Sequence, residues 1–362
     1  MSLEKPKVRI GVIGAGWWAT EYHIPGILAQ PEAELVAICD PNPERLAGAI
    51  RAYSLQKTYS DYQEMLEREA LDGVIVVTPH ATHYPIARHC LERGLHVLVE
   101  KPLTLLAKEA RDLVQLAEAQ SRQLMVGYTY HYYQQVQRAR RAVLAGELGK
   151  IQYVNSSFSS NVMGFLGGNI TPENAPVRFT VNAPGENYTH PNRPGGSGEG
   201  HLQLTHSIGA MFYITGLRAR QVQALMNNHD LAVDLVDAFS VAFEGGALGL
   251  VGGTGNAGAN HRMALAVYGT GGCYLSDTLA RFAALRSQDG KQEILDWSSS
   301  VVSSASNAQR YTVDQNFVEV IQNRAENHAP GEIGWRAVEL LDAAYRSAQS
   351  QGRPVTIEEL YL

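Results

Sequence analysis

The chemistry-bearing residues of this chain sit just behind short apolar runs. His96–Val99 reads as a buried strand, and it ends on Glu100, Lys101 and Pro102. Charged groups are expensive to bury, so a carboxylate and an ammonium at the end of a dry strand imply a use. An ammonium held there can hydrogen-bond a hydroxyl, stabilise alkoxide character and relay the proton. Relay requires its pKa to fall from about 10.4 toward ~7 or 8, a shift of about 4 kcal/mol that burial can impose. Pro102 fixes the turn behind the amine, and Glu100 can orient the amine or meet a ligand. The plainer alternative is a solvated ion pair at a strand end.

A second run, Val8–Ile13, leads into Gly14, Ala15, Gly16, Trp17, Trp18 and Ala19, which fit G-x-G-x-x-A. Gly14 would allow a tight turn, Gly16 close approach of a pyrophosphate, and Ala19 close packing of helix on strand. The amides of Trp17 and Trp18 would then face phosphates at a helix N-terminus. Asp40 closes the next run, 34–39, where a carboxylate can hold two ribose hydroxyls. Together these residues imply a bound dinucleotide. A carboxylate at 40 repels a 2′-phosphate, so NAD is expected over NADP, with Arg45 the one residue that could favour NADP. Thr78, Pro79 and His83 follow a further apolar run, at the carboxyl end of the sheet where ligands bind. His83 reads equally as a structural or helix-capping histidine. His80 and His83 have no cysteine or carboxylate at ligand spacing, so no metal is expected.

These runs need elements to hold them. From Val8 to about residue 127, apolar strands alternate with helices over 41–53, 59–69, 82–94 and 105–120. Asp61 and Thr104 are expected as caps, and Gly94 as a stop. Strands apolar on both faces predict a parallel, doubly wound sheet. After 127 the pattern changes. A hairpin is expected around Glu244, Gly245 and Gly246, a strand pair over 262–277, and helices over 313–327 and 333–352. The fold expected is α/β: a dinucleotide-binding domain, 1–127, and an α+β domain, 128–362, with a largely antiparallel or mixed open-faced sheet. Residues 159–200, rich in Gly, Pro and Asn, read as a lid.

The 362 residues, 45% of them hydrophobic, suffice for two cores. A net charge of −6 argues against nucleic acid and anionic membrane as partners. No apolar run approaches the ~20 residues that span a bilayer. The first residues lack the layout of a signal peptide. Cys39, Cys90 and Cys273 are far apart and read as reduced thiols. A cytoplasmic location is expected.

The stretches GVIGAGWWA, AICDPNPER, TPHATH and above all GLHVLVEKPL, in this order, resemble the Gfo/Idh/MocA oxidoreductases. These are NAD(P)-dependent enzymes that oxidise or reduce a ring carbon of sugars and inositols. VGYTYHYYQQVQRARRAVLAGELGKI and GWRAVELLDAAYRSAQSQGRPV are similar to the start and close of the family's second domain, so the resemblance covers nearly the whole chain. It implies Lys101 beside the nicotinamide, and cofactor contacts at Gly14, Ala15, Gly16, Trp17, Trp18, Asp40, Thr78, Pro79, His83, Glu100 and Lys101. It also implies a homo-dimer or homo-tetramer in which a partner subunit covers the second sheet.

Family members commonly carry Asp-x-Gly-x-His-x-x-Asp in the second domain. Aligned on His206, this chain has Leu202, Leu204 and Gly209 in place of the other three residues. His206 can still act as a base with a pKa near 6.5, its orienting partner then being Gln203, His201 or Glu199. His201 and His206, five apart, do not share a helical face, so His201 is expected in the turn, facing the cleft. Tyr128, His131, His201, Gln203 and His206 are expected substrate contacts. Asn182, Asn187, Tyr188, His190 and Arg193 are expected to bind hydroxyls. The activity implied is hydride transfer between NAD(H) and a ring carbon of a sugar or cyclic polyol. Two rivals are a redox-neutral enzyme that cleaves or epimerises glycosides by transient oxidation, and a non-catalytic NAD-binding regulator.

Overall fold

Six strands open the chain: β1 (Val8–Ile13), β2 (Ala33–Cys39), β3 (Thr58–Tyr59), β4 (Gly73–Val76), β5 (His96–Val99) and β6 (Leu124–Val126). They form one parallel sheet in the order β3-β2-β1-β4-β5-β6. A computed structural model describes residues 6–170, 179–185, 188–191, 198–297 and 312–362. In β4 and β6 every residue is buried, as helices on both faces require. The strand order reverses between β1 and β4, and the loops leaving these two strands carry Gly14 and Thr78 to the same edge.

The intervening helices start and stop largely where the sequence predicts. Asn42 caps Pro43–Tyr53 by accepting from the amides of Glu44 and Arg45, and Asp61 caps Tyr62–Arg68 from Gln63 N at 2.7 Å. Gly94 takes φ +76° after the helix His83–Glu92. Thr104 does not cap its helix, which spans Ala107–Ala119. The Thr104 hydroxyl turns instead to Leu106 O at 2.9 Å, and the cap comes from far along the chain: Asp342 Oδ2 accepts from Ala107 N at 3.0 Å.

The second sheet has nine strands: β7 (Ile151–Ser159), β8 (Ala219–Asn227), β9 (Val236–Phe243), β10 (Leu248–Thr254), β11 (Arg262–Gly269), β12 (Gly272–Asp277), β13 (Phe282–Ser287), β14 (Gln292–Ile294) and β15 (Val355–Thr356). Their order is β14-β13-β12-β11-β7-β10-β9-β8-β15, antiparallel except for the parallel pair β7/β10. β9 and β10 pair through the turn at Glu244–Gly246, and β11 pairs with β12. Burial alternates along β7 to β11, so one face is core and the other open. Thr205–Thr215, buried at every position, and Gly331–Gln349 cover the core face.

The chain returns to the first sheet near its end. Val313, Phe317 and Val318 of the helix Val313–Ile321 pack with Ile10, Ile24 and Ile27. Val126 N donates to Ala329 O at 2.9 Å, which extends the β6 edge.

Candidate active site

A cavity of about 1000 Å³ runs from the end of β1 to the start of the helix Thr205–Thr215. One end is walled by Gly14, Gly16, Asp40 and Arg45, the other by Lys101, Gln203 and His206.

At the first end, Gly14 has φ +103°, and a Cβ there would lie 2.2 Å from Val77 O, so no other residue fits. At Gly16 a Cβ would meet nothing within 4 Å. Gly16 faces open cavity, and a side chain there would fill the space a pyrophosphate needs. The first intrahelical bond is Thr20 N to Gly16 O at 3.1 Å, so the amides of Trp17 and Trp18 precede the hydrogen-bonded ladder. Asp40 is held in place by Ala15 N (2.8 Å) and Asn42 N (2.9 Å), one on each oxygen. Each oxygen keeps a lone pair for a ribose hydroxyl. Ala15, an expected cofactor contact, thus has its amide engaged by Asp40 and does not line the cavity. These residues fit a dinucleotide.

The segment expected as a lid crosses this end. Thr180 N and Val181 N donate to Glu21 Oε1 at 2.6 and 3.2 Å. Asn182 donates to the carbonyls of Ala15 (2.7 Å) and Arg45 (3.0 Å). Its amide therefore braces the glycine turn and is not turned to a substrate hydroxyl, contrary to expectation. Tyr188 does line the cavity, 5.5 Å from the His80 ring; His190 is exposed and does not. Asn187 and Arg193 lie outside the described residues.

His83 begins the helix His83–Glu92 with Nδ1 2.8 Å from Pro102 O and Nε2 2.8 Å from Thr78 O, and a neutral ring donates to one of these two carbonyls. It ties the Thr78 turn to the Pro102 turn and so sets the cavity wall. Burial holds its pKa below the ordinary imidazole range.

Glu100 is buried and accepts from three donors. Trp18 Nε1 and His23 Nε2 lie 3.0 Å from Oε1, and Lys101 N lies 3.0 Å from Oε2. His23 Nδ1 in turn lies 2.7 Å from Asp314 Oδ1. Burial alone would discharge this histidine; the Asp314 and Glu100 carboxylates overcome it and raise its pKa to about 10. Burial would raise Glu100, and the His23 imidazolium and Lys101 more than offset it, so Glu100 stays ionised. Room for this arrangement comes from two glycines, since a Cβ at Gly127 would strike Glu100 Oε1 and one at Gly26 would strike Asp314 Oδ2. Sequence reasoning missed His23 and Asp314. Their pairing spans 291 residues and leaves no local signature.

Lys101 follows, joined to Pro102 by a cis peptide bond. Its Nζ donates to Leu202 O at 2.5 Å. Burial lowers its pKa, while Glu100 and then Glu199 partly restore it. Leu202 belongs to a wide turn, Gly200–Leu204, which closes with Thr205 N on Gly200 O and feeds the following helix. His206 stands at that helix start, its ring stacked 5.8 Å from Phe158. Its pKa lies well below 6.5, by burial first and by the Lys101 charge next, which corrects the expectation of an ordinary imidazole. Its Nδ1 meets no hydrogen-bond partner among the described residues, so none of Gln203, His201 or Glu199 orients it.

Three expected substrate contacts are placed elsewhere. Tyr128 lies beneath the cavity, its hydroxyl 3.0 Å from Thr205 Oγ1. His131 stacks on Tyr213 at 4.3 Å and is held by His328 O, its pKa pushed down by burial to about 3. His201 stacks on Tyr345 at 4.5 Å, away from the cavity lining. Each fills core because its turn packs inward. Tyr130 and His261, 3.2 Å apart, line the cavity instead and were not anticipated. No group of three or more His, Cys, Asp or Glu able to hold a metal occurs among the described residues.

Residues 8–128 match the family model described as "Oxidoreductase family, NAD-binding Rossmann fold", and residues 136–275 match the "GFO/IDH/MocA C-terminal domain". The chain belongs to the Gfo/Idh/MocA oxidoreductase family. It is similar to a dTDP-3,4-didehydro-2,6-dideoxy-alpha-D-glucose 3-reductase of Streptomyces antibioticus, at 31% identity over 157 residues, 43% of this chain and 48% of that protein. It is 27% identical over 159 residues to the D-xylose 1-dehydrogenase [NADP(+)] of Haloarcula marismortui, 43% of this chain and 44% of that protein. The matched stretch thus spans less than half of either relative. An oxidoreductase from Agrobacterium radiobacter, solved with NAD+, L-tartaric acid and magnesium, has the same fold with a TM-score of 0.77 at 19% identity, covering 98% of this chain and 99% of that one.

Against the Gfo/Idh/MocA pattern, the departures around His206 have steric causes. Gly209 stands where the family's second Asp is usual, and a Cβ there would lie 2.9 Å from the Tyr128 ring. Tyr128 occupies that space. Leu202, where the first Asp is usual, packs instead with Val162, Phe165 and Leu235.

Proposed function

We propose that this chain is an NAD-dependent oxidoreductase acting on a ring hydroxyl of a sugar or cyclic polyol. The observation that carries the reading is Lys101: a half-buried amine of lowered pKa, held by Leu202 O, in one cavity with the Gly14–Gly16 turn and Asp40. The relatives named above support a sugar, and they differ in the carbon their names specify. When bound, the dinucleotide supplies hydride chemistry. Lys101 donates to the substrate oxygen, stabilises alkoxide character and moves the proton. Glu100, kept ionised by His23, fixes the Lys101 backbone through Lys101 N. His206, neutral, serves as a hydrogen-bonding group; Lys101 carries the charge. Asp40 supports NAD over NADP by repelling a 2′-phosphate. Asp40, Gly16, Trp17, Trp18, Thr78 and Pro79 are the cofactor contacts of this reading; Gln203, His206, Tyr130 and His261 are those of the substrate. A cytoplasmic setting agrees with three free cysteines, two of them buried, and no described helix is long and apolar enough to cross a membrane.

The test is a panel of aldoses, glycosides and inositols assayed at the nicotinamide absorbance band with wild type and Lys101→Ala. Turnover by wild type, reduced about 10²- to 10⁴-fold in the variant with NAD binding retained, is the expected result. Wild-type rates in Lys101→Ala reject the reading. The redox-neutral rival has one observation in its favour: among the described residues, no carboxylate meets His206 Nδ1. Product formation without NADH accumulation would establish it. Tight NAD binding with no turnover of any panel member would instead mark a regulator.

A further inference from the structure

The glycine turn carries two tryptophans, and a pyrophosphate asks only for their amides. The Trp18 ring is put to another use. It stacks on Tyr22 at 3.8 Å, and its Nε1 donates to Glu100 Oε1, next to Lys101. Both rings are half-buried and line the cavity. Later segments of the chain set four more rings around the same space. Phe158 of β7 stacks on His206 at 5.8 Å. Tyr130 lies 5.6 Å from His206 and 6.0 Å from Phe158, and His261, just before β11, lies 5.1 Å from Phe158. All four line the cavity.

Exposure grades these rings. Phe158 and His206 are buried, Trp18, Tyr22 and Tyr130 are half-buried, and His261 is exposed. The cavity therefore has an inner end closed by Lys101, Gln203 and His206, which suits hydroxyls, and an outer part built of ring faces. Two polar handles of that outer part are spent within the protein. Trp18 Nε1 is on Glu100, and Tyr130 Oη pairs with His261 Nε2 at 3.2 Å. What these side chains then offer a ligand is mainly their faces. Sugar hydroxyls need polar partners once buried, whereas a flat apolar ring needs only such faces. Space for one exists beside His261: Gly258 lines the cavity, and a Cβ there would meet nothing within 4 Å.

We propose that the substrate is a two-part molecule, a neutral sugar bearing an apolar ring as its aglycone. The sugar sits at Lys101 and His206, and the aglycone packs on the outer rings, Trp18 with Tyr22 and Tyr130 with His261. The proposal rests on the reading of Lys101 given above, which it narrows from sugars and polyols to glycosides. The hydride transfer itself is unchanged, and the aglycone contributes binding and orientation by fixing which face of the sugar ring meets the amine.

The test uses the NAD-loaded protein with the methyl and phenyl glycosides of glucose, galactose and xylose, in both anomers. Calorimetry reads binding, and NADH or product formation reads turnover. In at least one pair the phenyl member is expected to show higher affinity and higher kcat/KM by about 10- to 100-fold, the effect of burying one further ring. Tyr22→Ala is expected to bring the two members of that pair close together; should it fail to fold, Tyr130→Ala takes its place. Equal affinities within every pair overturn the proposal, and so does a phenyl preference undiminished in the variant. Binding of dTDP-glucose in preference to every phenyl glycoside overturns it as well, since that molecule carries its aromatic ring beyond a diphosphate. Lys101→Ala judges the reading of Lys101 separately, by turnover alone. Wild-type rates in that variant reject the reading, whereas equal binding within the pairs rejects only the aglycone site.

Discussion

Lys101 and His206 share a cavity, yet their surroundings assign them different charges. Lys101 has Glu100 and Glu199 to favour its ammonium, whereas His206 has Lys101, His131 and His261, none of them negative. The surroundings therefore favour charge on the amine over charge on the histidine named by the motif. What holds the amine's carboxylate neighbour is His23. Removing it leaves Asp314 without its ion-pair partner and Glu100 with Lys101 as its remaining cation. His23→Ala is expected to destabilise the fold by about 3 to 5 kcal/mol, read as a drop in the denaturation midpoint. A midpoint within error of wild type rejects the view that His23 is a buried imidazolium. The sequence made Lys101 legible because a charged pair after an apolar strand breaks a local rule. It left His23 and Asp314 illegible, because their partners arrive from other segments and no spacing encodes them.

Elements show the same division. The parallel strands, the β9/β10 hairpin and most helix ends could be read from periodicity, Asp caps and glycine stops, since each depends on neighbours within a few residues. The start of Ala107–Ala119 could not. Thr104 is the right residue type in the right place for a cap, but it bonds Leu106 O, and Asp342 of Gly331–Gln349 takes over. The same carboxylate accepts from Arg346 Nε at 2.8 Å, so one residue ties the last long helix to the first domain. Asp342→Ala is expected to lower stability by about 1 to 2 kcal/mol. Hydrogen exchange should speed in the first turn of Ala107–Ala119 and not in Pro43–Tyr53, whose cap is its own Asn42. Equal protection of both helices in the variant counts against an Asp342 cap.

At the scale of the molecule, buried titratable groups make stability depend on pH from both sides. His80, His83, His131, His201 and His206 all have pKa values held below 6.5 by burial. Below about pH 6.5 the unfolded chain takes up protons on them and the folded chain does not, so stability falls as pH falls. Glu109, Glu199, Asp234, Asp237 and Glu339 oppose this, since burial raises their pKa and the folded chain keeps their protons where the unfolded chain releases them, but His96, His261 and His328 are also lowered, which makes eight histidines against five acids. His23, raised to about 10, contributes stability that is complete below 6.5 and is lost as pH rises toward 10. Thermal midpoints measured across pH should therefore peak near neutrality and decline on both sides; a midpoint still climbing from pH 7 to 5 contradicts the burial of these histidines.

The open face of the second sheet raises the last question of scale. Leu225, Leu248 and Leu250 are 67%, 59% and 49% exposed, and Tyr268 is 42% exposed. Register places them on contiguous strands: Leu248 pairs with Tyr153, and Tyr153 with Tyr268. Small residues fill the gaps, with Ala242 opposite Leu248 and Ser240 opposite Leu250. Exposed apolar side chains on neighbouring strands, away from the cavity, suit cover by a partner. The family resemblance led to the expectation of a partner subunit there, and the exposed leucines support a second copy of this chain as the cover. Leu248→Glu with Leu250→Glu points two carboxylates out of the strand without touching the core face, so each subunit should still fold and bind NAD. Light scattering should then report a monomer for the variant and a mass of two or four chains for wild type. A wild-type mass of one chain, or an assembly that survives both charges, would place the interface elsewhere or remove it.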